Sequence, residues 1–539
     1  MNTKEVKTGA AAKAKLLEGV NLVAGPVAAT LGPKGRNAIL SRDVAPPIIT
    51  NDGVSIAAWF TKVSDPFVNT GVQMIKEVSS KQNGPGDGTT TATVLAAALV
   101  NEGVRHLNSG HDPVELKEGM VRASREALDT LKTIATPVDG DLARLKQVAT
   151  ISVEDEETGA LIGELMHQVG KDGAITVETV KDVKLEKDMT DGLKFDSGWL
   201  TPYFMTNPFR QESVLEDVPV LVTNHTLSDN AQIVPLADKL AAKGIKGLVI
   251  ICQHAKGEAL NTMVNNHVKG IFAFSVIRLP GLDDLQTFIG QDIATAVGAT
   301  FIESELTKLQ DVEPDDLGSA ERVITKQEST VIVKGGGTKD DVAQRIKQLK
   351  SEVKEAVSDF DRDQLKERIA RLSGGIGVVR IGAATEQELT YKKHKIEDAL
   401  AATRAAVEEG IVAGGGVTML RLGQKGIRTG ETSLGAQVFY QALSRPLSTI
   451  VENAGKNAET IIDRISIEGE PYSKGWDART GTYVDMLDAG IIDPVKVTRS
   501  AIENAVSMAS MFLTTESLIV DVPEEDTREQ RLRREKGLE

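Results

Sequence analysis

The stretch GDGTTTATVL at residues 86–95 sets an aspartate between two glycines, then three threonines, then an apolar run. Gly86 and Gly88 let the backbone approach a ligand closely, and the threonines open a helical pattern. A helix start offers N–H groups without intrahelical partners and the positive end of the dipole, and both favour anions. Asp87 would repel a bare phosphate. The pattern makes chemical sense if the carboxylate holds Mg2+, a hard cation bound through few carboxylates plus phosphate oxygens. The metal then supplies the positive charge that a lysine gives in other phosphate loops. The same residues also fit an N-capped helix with no ligand.

Other stretches offer matching chemistry. TLGPKGRN (30–37) is a Gly/Pro loop able to set backbone amides against phosphate, with Lys34 either on phosphate or in solvent. NDGVS (51–55) and IEDAL (396–400) supply Asp52 and Asp398, and VAGGGV (412–417) is a third glycine loop. Taken singly, each reads equally well as a turn. Cys252 and His254 stand two apart but lack the further ligands of a zinc site. No G-x-S-x-G occurs, and nothing in the sequence signals a Ser/His/Asp triad.

The elements that must position these groups fall into three regimes. Residues 1–136 and about 411–520 read as helices, as in AAKAKLLEGVNLVAGPVAATLG and AIENAVSMASMFLTT. Residues 192–374 alternate short apolar strands (218–224, 247–253, 271–277 and 329–335) with helical stretches at 230–243 and 257–268, an α/β pattern. That block ends in an amphipathic pair, in which Val342, Ile346, Leu349, Val353, Val357 and Phe360 precede Leu365, Ile369 and Leu372 across DFDRD. A packed helical hairpin is expected there, with an independent coiled-coil module as the alternative. Pro137, Gly192, Gly374, Gly375 and Gly410 punctuate the borders, and the charged end PEEDTREQRLRREKGLE reads as a solvated helix or tail.

Composition narrows the function classes. A length of 539 residues favours two to four domains. The net charge of −15 argues against a general nucleic-acid or anionic-membrane binder. A single cysteine excludes an intramolecular disulfide framework and fits a reducing compartment. The first residues lack the apolar core of a signal peptide, and the best apolar run, 92–100, is too short to span a bilayer. A cytoplasmic protein is expected.

In position and order these pieces resemble group I chaperonins of the GroEL type, from about residue 4 to about 523. TLGPKGRN, GDGTTTATVL, AATRAAVEEGIVAGGG (401–416) and DPVKVTRSA (493–501) carry the resemblance. It implies a multi-domain α and α/β subunit: a helical equatorial ATPase domain (1–136 with 411–539), a small intermediate domain (137–191 with 375–410) and an α/β apical domain (192–374). Pro137 with Gly410, and Gly192 with Gly374 and Gly375, match the family's hinge regions. By similarity Asp87 binds Mg2+, with K+ as a further candidate ion. Thr30, Leu31, Gly32, Pro33, Asn51, Gly88, Thr89, Thr90 and Thr91 surround the phosphates of ATP. Gly415, Asp477, Ala478, Arg479 and Asp493 line the nucleoside. Asp52 and Asp398 position the attacking water and assist hydrolysis, chemistry that needs positioning and charge neutralisation more than a covalent nucleophile. Trp199, Tyr203, Phe204, Val234, Leu260 and Val264 match the apical contacts for non-native polypeptides. The implied partners are further copies in a seven-membered ring, single or double, and a GroES-type co-chaperonin.

The sequence also departs from that pattern. Asn51 replaces a lysine beside the nucleotide, Asn265 stands at a normally apolar apical position, and Ala237 is smaller than the usual leucine. Ser197 lacks an arginine that pairs between subunits with the residue matching Glu386. The inter-ring Arg–Glu pair aligns with Ser448 and Asn457, which brings a single ring into view. LPGLDDLQ (279–286) replaces PGFGDRR, and the charged terminus replaces a Gly-Gly-Met tail. The departures fit a divergent member, such as a secondary paralogue or a virus-encoded copy. An ATP-dependent folding chaperonin is the first expectation, and a non-hydrolysing ring holdase is the second.

Overall fold

The computed structural model describes residues 3–42, 47–82, 88–138, 140–170, 174–180, 184–208, 210–281, 283–356, 358–467 and 471–522. Asp87 and the charged end after residue 522 lie outside them. The chain divides into two compact units, one built from Met1–His167 with Ala383–Glu539 and the other from Gln168–Gly382. Both cuts fall inside the segments 137–191 and 375–410.

The first unit is helical. Gly9–Ala28, Pro66–Gln82, Thr89–Asn108, Pro113–Ile134, Leu434–Ala442 and Val495–Thr514 turn their apolar stripes onto one core. Leu16, Ile75, Leu95, Leu99, Met120 and Phe512 are fully buried in it. Each helix alone would be marginal in water, so burial of these stripes is what holds them. The two ends of the described chain close the unit as an antiparallel ladder, Thr3–Thr8 on Ser517–Val522.

The second unit is built on an eight-stranded mixed sheet. Its order is Ala273–Arg278, Gly247–Cys252, Ser213–Val222, Gly318–Thr325, Thr330–Gly335, Leu185–Phe195, Gly375–Ile381 and Ala174–Thr179. The run GLVIIC is covered on both faces, which is why it reads as continuous apolar residues. Leu248, Ile250 and Cys252 join the core under Val234–Ala242 and Gly257–Val268. Val249 and Ile251 join the opposite core with Ile289, Ile293, Leu349 and Leu372. Leu185–Phe195 has two partners: residues 185–191 pair with Gly375–Ile381, and residues 192–195 pair with Thr330–Gly335.

The helical hairpin is Lys339–Glu355 and Asp359–Ser373, so DFDRD forms the first turn of the second helix and is not a loop. Ser358 caps it by accepting from Asp361 N. Asp292 on Asp283–Val297 receives Arg345 Nε at 2.7 Å and Arg368 Nε at 2.6 Å, tying both arms of the hairpin to one carboxylate. The expected strand at 271–277 begins later, at Ala273, because Ile271 lies in a turn and is exposed. Among the described residues no helix is long and apolar enough to cross a membrane.

Candidate functional site

In the helical unit, Thr89–Asn108 starts at Gly88, whose φ of 80° is left-handed and which has no side chain of its own to cap the helix. A helix start of this kind favours anions. A Cβ at Gly88 would lie 2.5 Å from Val497 Cγ1, so the glycine is required by packing as well as by φ. Gln82 fixes this contact: its Nε2 donates to Val497 O at 3.1 Å, and its Oε1 accepts from Asn504 Nδ2 at 3.1 Å. Gly53 stands against Thr90, where a Cβ would come within 2.4 Å of Thr90 Oγ1. Asp52 is therefore held beside the threonines. As folded it N-caps Gly53–Trp59, accepting from Val54 N (3.1 Å), Ser55 N (3.0 Å) and Ser55 Oγ (2.6 Å). Next to it, Asn51 Oδ1 is buried without a hydrogen-bond partner, an acceptor that a cation or a donor group would satisfy.

The TLGPKG loop follows Gly9–Ala28, whose Val27 Cγ1 would lie 3.4 Å from a Cβ at Gly53. Thr30 is buried and donates to Val27 O at 2.8 Å, while Pro33 and Lys34 are exposed. Asn453 Nδ2 donates to Ala28 O and Leu31 O, each at 2.9 Å, and so fixes the loop from the far end of the chain. Leu31 packs on the cluster of Leu447, Ile450, Trp476 and Ala478, which joins the loop to the segment 477–479. Asp477 closes that turn, accepting from Arg479 N at 2.8 Å and Thr480 Oγ1 at 2.7 Å, and Arg479 is exposed.

Ile411–Ala413 pairs with Ile492–Pro494, setting Val412 opposite Asp493. Gly415 and Gly416 then turn through left-handed φ into Val417–Thr429, another helix start without a side-chain cap. A Cβ at Gly414 would stand 2.9 Å from Asp493 Oδ1, so this loop lies directly on that carboxylate. Tyr472 joins them: its hydroxyl bonds Thr418 Oγ1, and burial, helped by the charge of Asp493, raises its pKa above the ordinary tyrosine value. Asp398 is half-buried on Glu386–Glu409, a helix that packs on Leu142–Val153, on Val495–Thr514 and on the strand of Asp493. Beyond it, Gly410 takes a φ of 84°, and Thr136 exchanges two main-chain bonds with Ile411. Glu409 receives Arg499 at 2.6 and 3.0 Å, and that guanidinium holds its carboxyl below the usual range.

The helical unit thus joins Asp52 with Thr90, the 30–33 loop with Ala478, and Gly414 with Asp493. Asn453, Tyr472 and Gln82 support these contacts and carried no sequence signal, because their partners are remote in the chain. Among the described residues no group of three or more His, Cys, Asp or Glu could hold a metal.

In the second unit, Phe204, Val234, Leu260 and Val264 belong to the core under Gly257–Val268, whereas Trp199 bridges to Ile277. Tyr203 is 67% exposed, whereas its neighbour Phe204 is fully buried. Phe204 therefore departs from the expectation of an open contact: its ring fills the core with Leu236, Met263 and Phe274. Val234, Leu260 and Val264 are half-buried against that core. Trp199 is half-buried too, its main-chain N–H donating to Lys326 O at 3.1 Å and its indole Nε1 to Gln211 O at 3.5 Å. Ala237 is half-buried and Asn265 is exposed.

The residues matching the inter-ring pair are occupied within the chain. Ser448 is buried and donates to Ser444 O at 3.0 Å, and Asn457 Oδ1 accepts from Thr460 N at 2.9 Å.

Comparison with known proteins agrees with this architecture. The chaperonin gp146 from bacteriophage EL 2 (Pseudomonas aeruginosa), crystallised in the presence of ATP-BeFx, superposes with a TM-score of 0.67 at 19% identity. The match covers 96% of this chain and 99% of that one. The family model of the TCP-1/cpn60 chaperonins matches residues 23–523. With a glycine-opened helix start and a family match over nearly its whole length, the chain belongs to the TCP-1/cpn60 chaperonin family.

Proposed function

We propose that this chaperonin hydrolyses ATP, assembles into a ring, binds non-native polypeptides on an apolar face of its α/β unit and promotes their folding in the cavity. The observation that carries this reading is the left-handed glycine start of Thr89–Asn108 at Gly88, with Gly53, next to Asp52, against Thr90. The residues fit a Mg2+-nucleotide: a helix start suits phosphate, a Cβ-excluding cradle at Gly88 suits close approach, and Asn51 offers an unpaired oxygen. Asp87 would hold Mg2+, while Thr30, Leu31, Gly32, Pro33 and the amides of Gly88, Thr89, Thr90 and Thr91 would take the phosphates. Gly415, Asp477, Ala478, Arg479 and Asp493 would line the nucleoside. Bound Mg2+ supplies positive charge that neutralises phosphate oxygens. Asp398 and Asp52 orient the attacking water, and Asp398 lies on the helix that ends at Gly410, which fits coupling to domain movement. The phage relative's crystallisation with ATP-BeFx supports nucleotide binding.

The three-layer division, with hinges at Pro137/Gly410 and Gly192/Gly374, belongs to this reading. So do the seven-membered ring and a co-chaperonin lid. The internal bonds of Ser448 and Asn457 favour a single ring. One observation favours a second reading, a ring holdase without turnover: both Asp52 oxygens are spent capping their own helix.

Mg2+-dependent ATP turnover and native mass, measured on the same purified particles, test both readings. Turnover in a large ring is expected; a ring without turnover supports the holdase, and Asn51→Lys is then the first reversion. Asp398→Ala should abolish turnover and spare nucleotide binding, and unchanged turnover would contradict its role.

A further inference from the structure

A histidine lies beneath the apolar face of the second unit. His267 stands at the end of Gly257–Val268, and its Nδ1 accepts from Phe274 N at 3.1 Å on Ala273–Arg278. Its ring meets Phe204 edge-on, with centroids 5.7 Å apart and planes at 88°. It also bonds the main chain of Met205, the residue that closes the turn Pro202–Phe204. One imidazole thus ties a helix, a strand and a turn, and the turn carries a fully buried Phe204 beside a 67% exposed Tyr203.

An Nδ1 that accepts a hydrogen bond is unprotonated, so the ring is neutral here. Protonation makes both nitrogens donors and sets an N–H against the Phe274 N–H. We propose that His267 is an acid-released latch: a proton at Nδ1 ejects the ring from Phe274, frees the Pro202–Phe204 turn and adds Phe204 to the surface offered to polypeptides. The proposal rests on reading this face as the polypeptide-binding surface.

Burial, the leading cause, holds the His267 pKa below the ordinary histidine value. The elements packed on its helix contribute Tyr203, Arg278 and the N-cap Asp229, and the helix itself contributes Glu258, with Lys269 following. Burial sets the downward direction against the opposing pull of the two main-chain contacts, and none of these groups is among the causes. The released state therefore binds more protons below the free value of about 6.5, and falling pH favours release. The gain in opening is at most about tenfold per pH unit.

Hydrogen exchange on full-length particles, corrected for intrinsic rates, tests this at about pH 7.5 and 5.5, on either side of the free histidine value. The peptide over residues 199–206 and the Phe274 amide should open together, up to about tenfold more at the lower pH. Peptides around His225 and His254 serve as controls within the same unit. In His267→Gln the amide oxygen still accepts but does not titrate, so the response should vanish. A wild type without the response, or a variant that keeps it, overturns the latch. If the variant does not fold, joint opening confined to 199–206 and Phe274 in the wild type decides alone. Capture of a denatured polypeptide is measured in parallel. A switch in exchange with no capture at either pH overturns the assignment of the surface and leaves the latch standing.

Discussion

Gly88→Ala tests the nucleotide reading where packing and backbone are both demanding. The residue has φ 80°, and a Cβ-bearing residue in left-handed space costs roughly 1–2 kcal/mol. The new methyl would lie 2.5 Å from Val497 Cγ1, about 1 Å inside ordinary contact. Relief by moving Val497 strains the bond from Gln82 Nε2 to Val497 O, which contributes about 0.5–1.5 kcal/mol. Relief by moving Gly88 instead shifts the first-turn amides away from the phosphate position. The φ and hydrogen-bond costs fall on folding, whereas displaced amides weaken binding, and about 1.4 kcal/mol lost there is a tenfold loss of affinity. Calorimetric titration with a nucleotide diphosphate and Mg2+ would read it, with circular dichroism to verify folding. Val497→Ala on top of Gly88→Ala removes the γ carbons but not the φ penalty, so affinity should return only in part. Parent-like affinity in Gly88→Ala would refute the phosphate assignment, and an equal loss in single and double variants would refute the steric argument.

Asp292→Ala leaves two arginines facing each other in a buried setting, and breaking such a pair costs about 3–5 kcal/mol. The hairpin Lys339–Glu355 with Asp359–Ser373 should become the first site of limited proteolysis, and unchanged cleavage would argue against the pin. Glu409, held below the usual carboxyl range by Arg499, contributes stability that is present above the unfolded value of about 4.3 and is lost as pH falls through its lower folded value. Thermal melts of Glu409→Gln should therefore fall less steeply below about pH 4.3 than those of the parent. Cys252 is fully buried and its thiol is pushed up to about 12, so a thiol reagent near neutral pH should label only unfolded chains.

The apolar strands were legible because burial on both faces leaves an uninterrupted hydrophobic run, as in GLVIIC. Leu185–Phe195 was not, since LEKDMTDGLKF is mostly polar and half of its length is open to solvent. The strand at 218–224 was read too late at its start because SVLED, with two acidic residues, resembles a loop, yet it pairs with Gly318–Thr325. At the site, glycines and aspartates marked the loops, but what they rest on was hidden. Asn453 gives no local sign that it bonds Ala28 and Leu31, and Phe204 is a contact by resemblance alone, which does not show that it is buried beside an exposed Tyr203. Asp52 read as a reacting group, whereas Ser55 three residues on makes it a helix cap as well.

The shared strand Leu185–Phe195 has a mechanical consequence. Its ladder partner changes between Asp191, which faces Gly375, and Gly192, which faces Val333. The ladder changes partner there, yet Arg322 Nη1 donates to Val177 O at 3.2 Å, and Val333 packs with Ala174 and Ile376, so side chains tie the two ladders together. A Cβ at Gly192 would lie 2.5 Å from Ile332 O and 2.5 Å from Ile376 Cγ1, one atom from each neighbouring strand. The sheet is thus stitched across the change of partner, and only glycine leaves room there for both neighbouring strands.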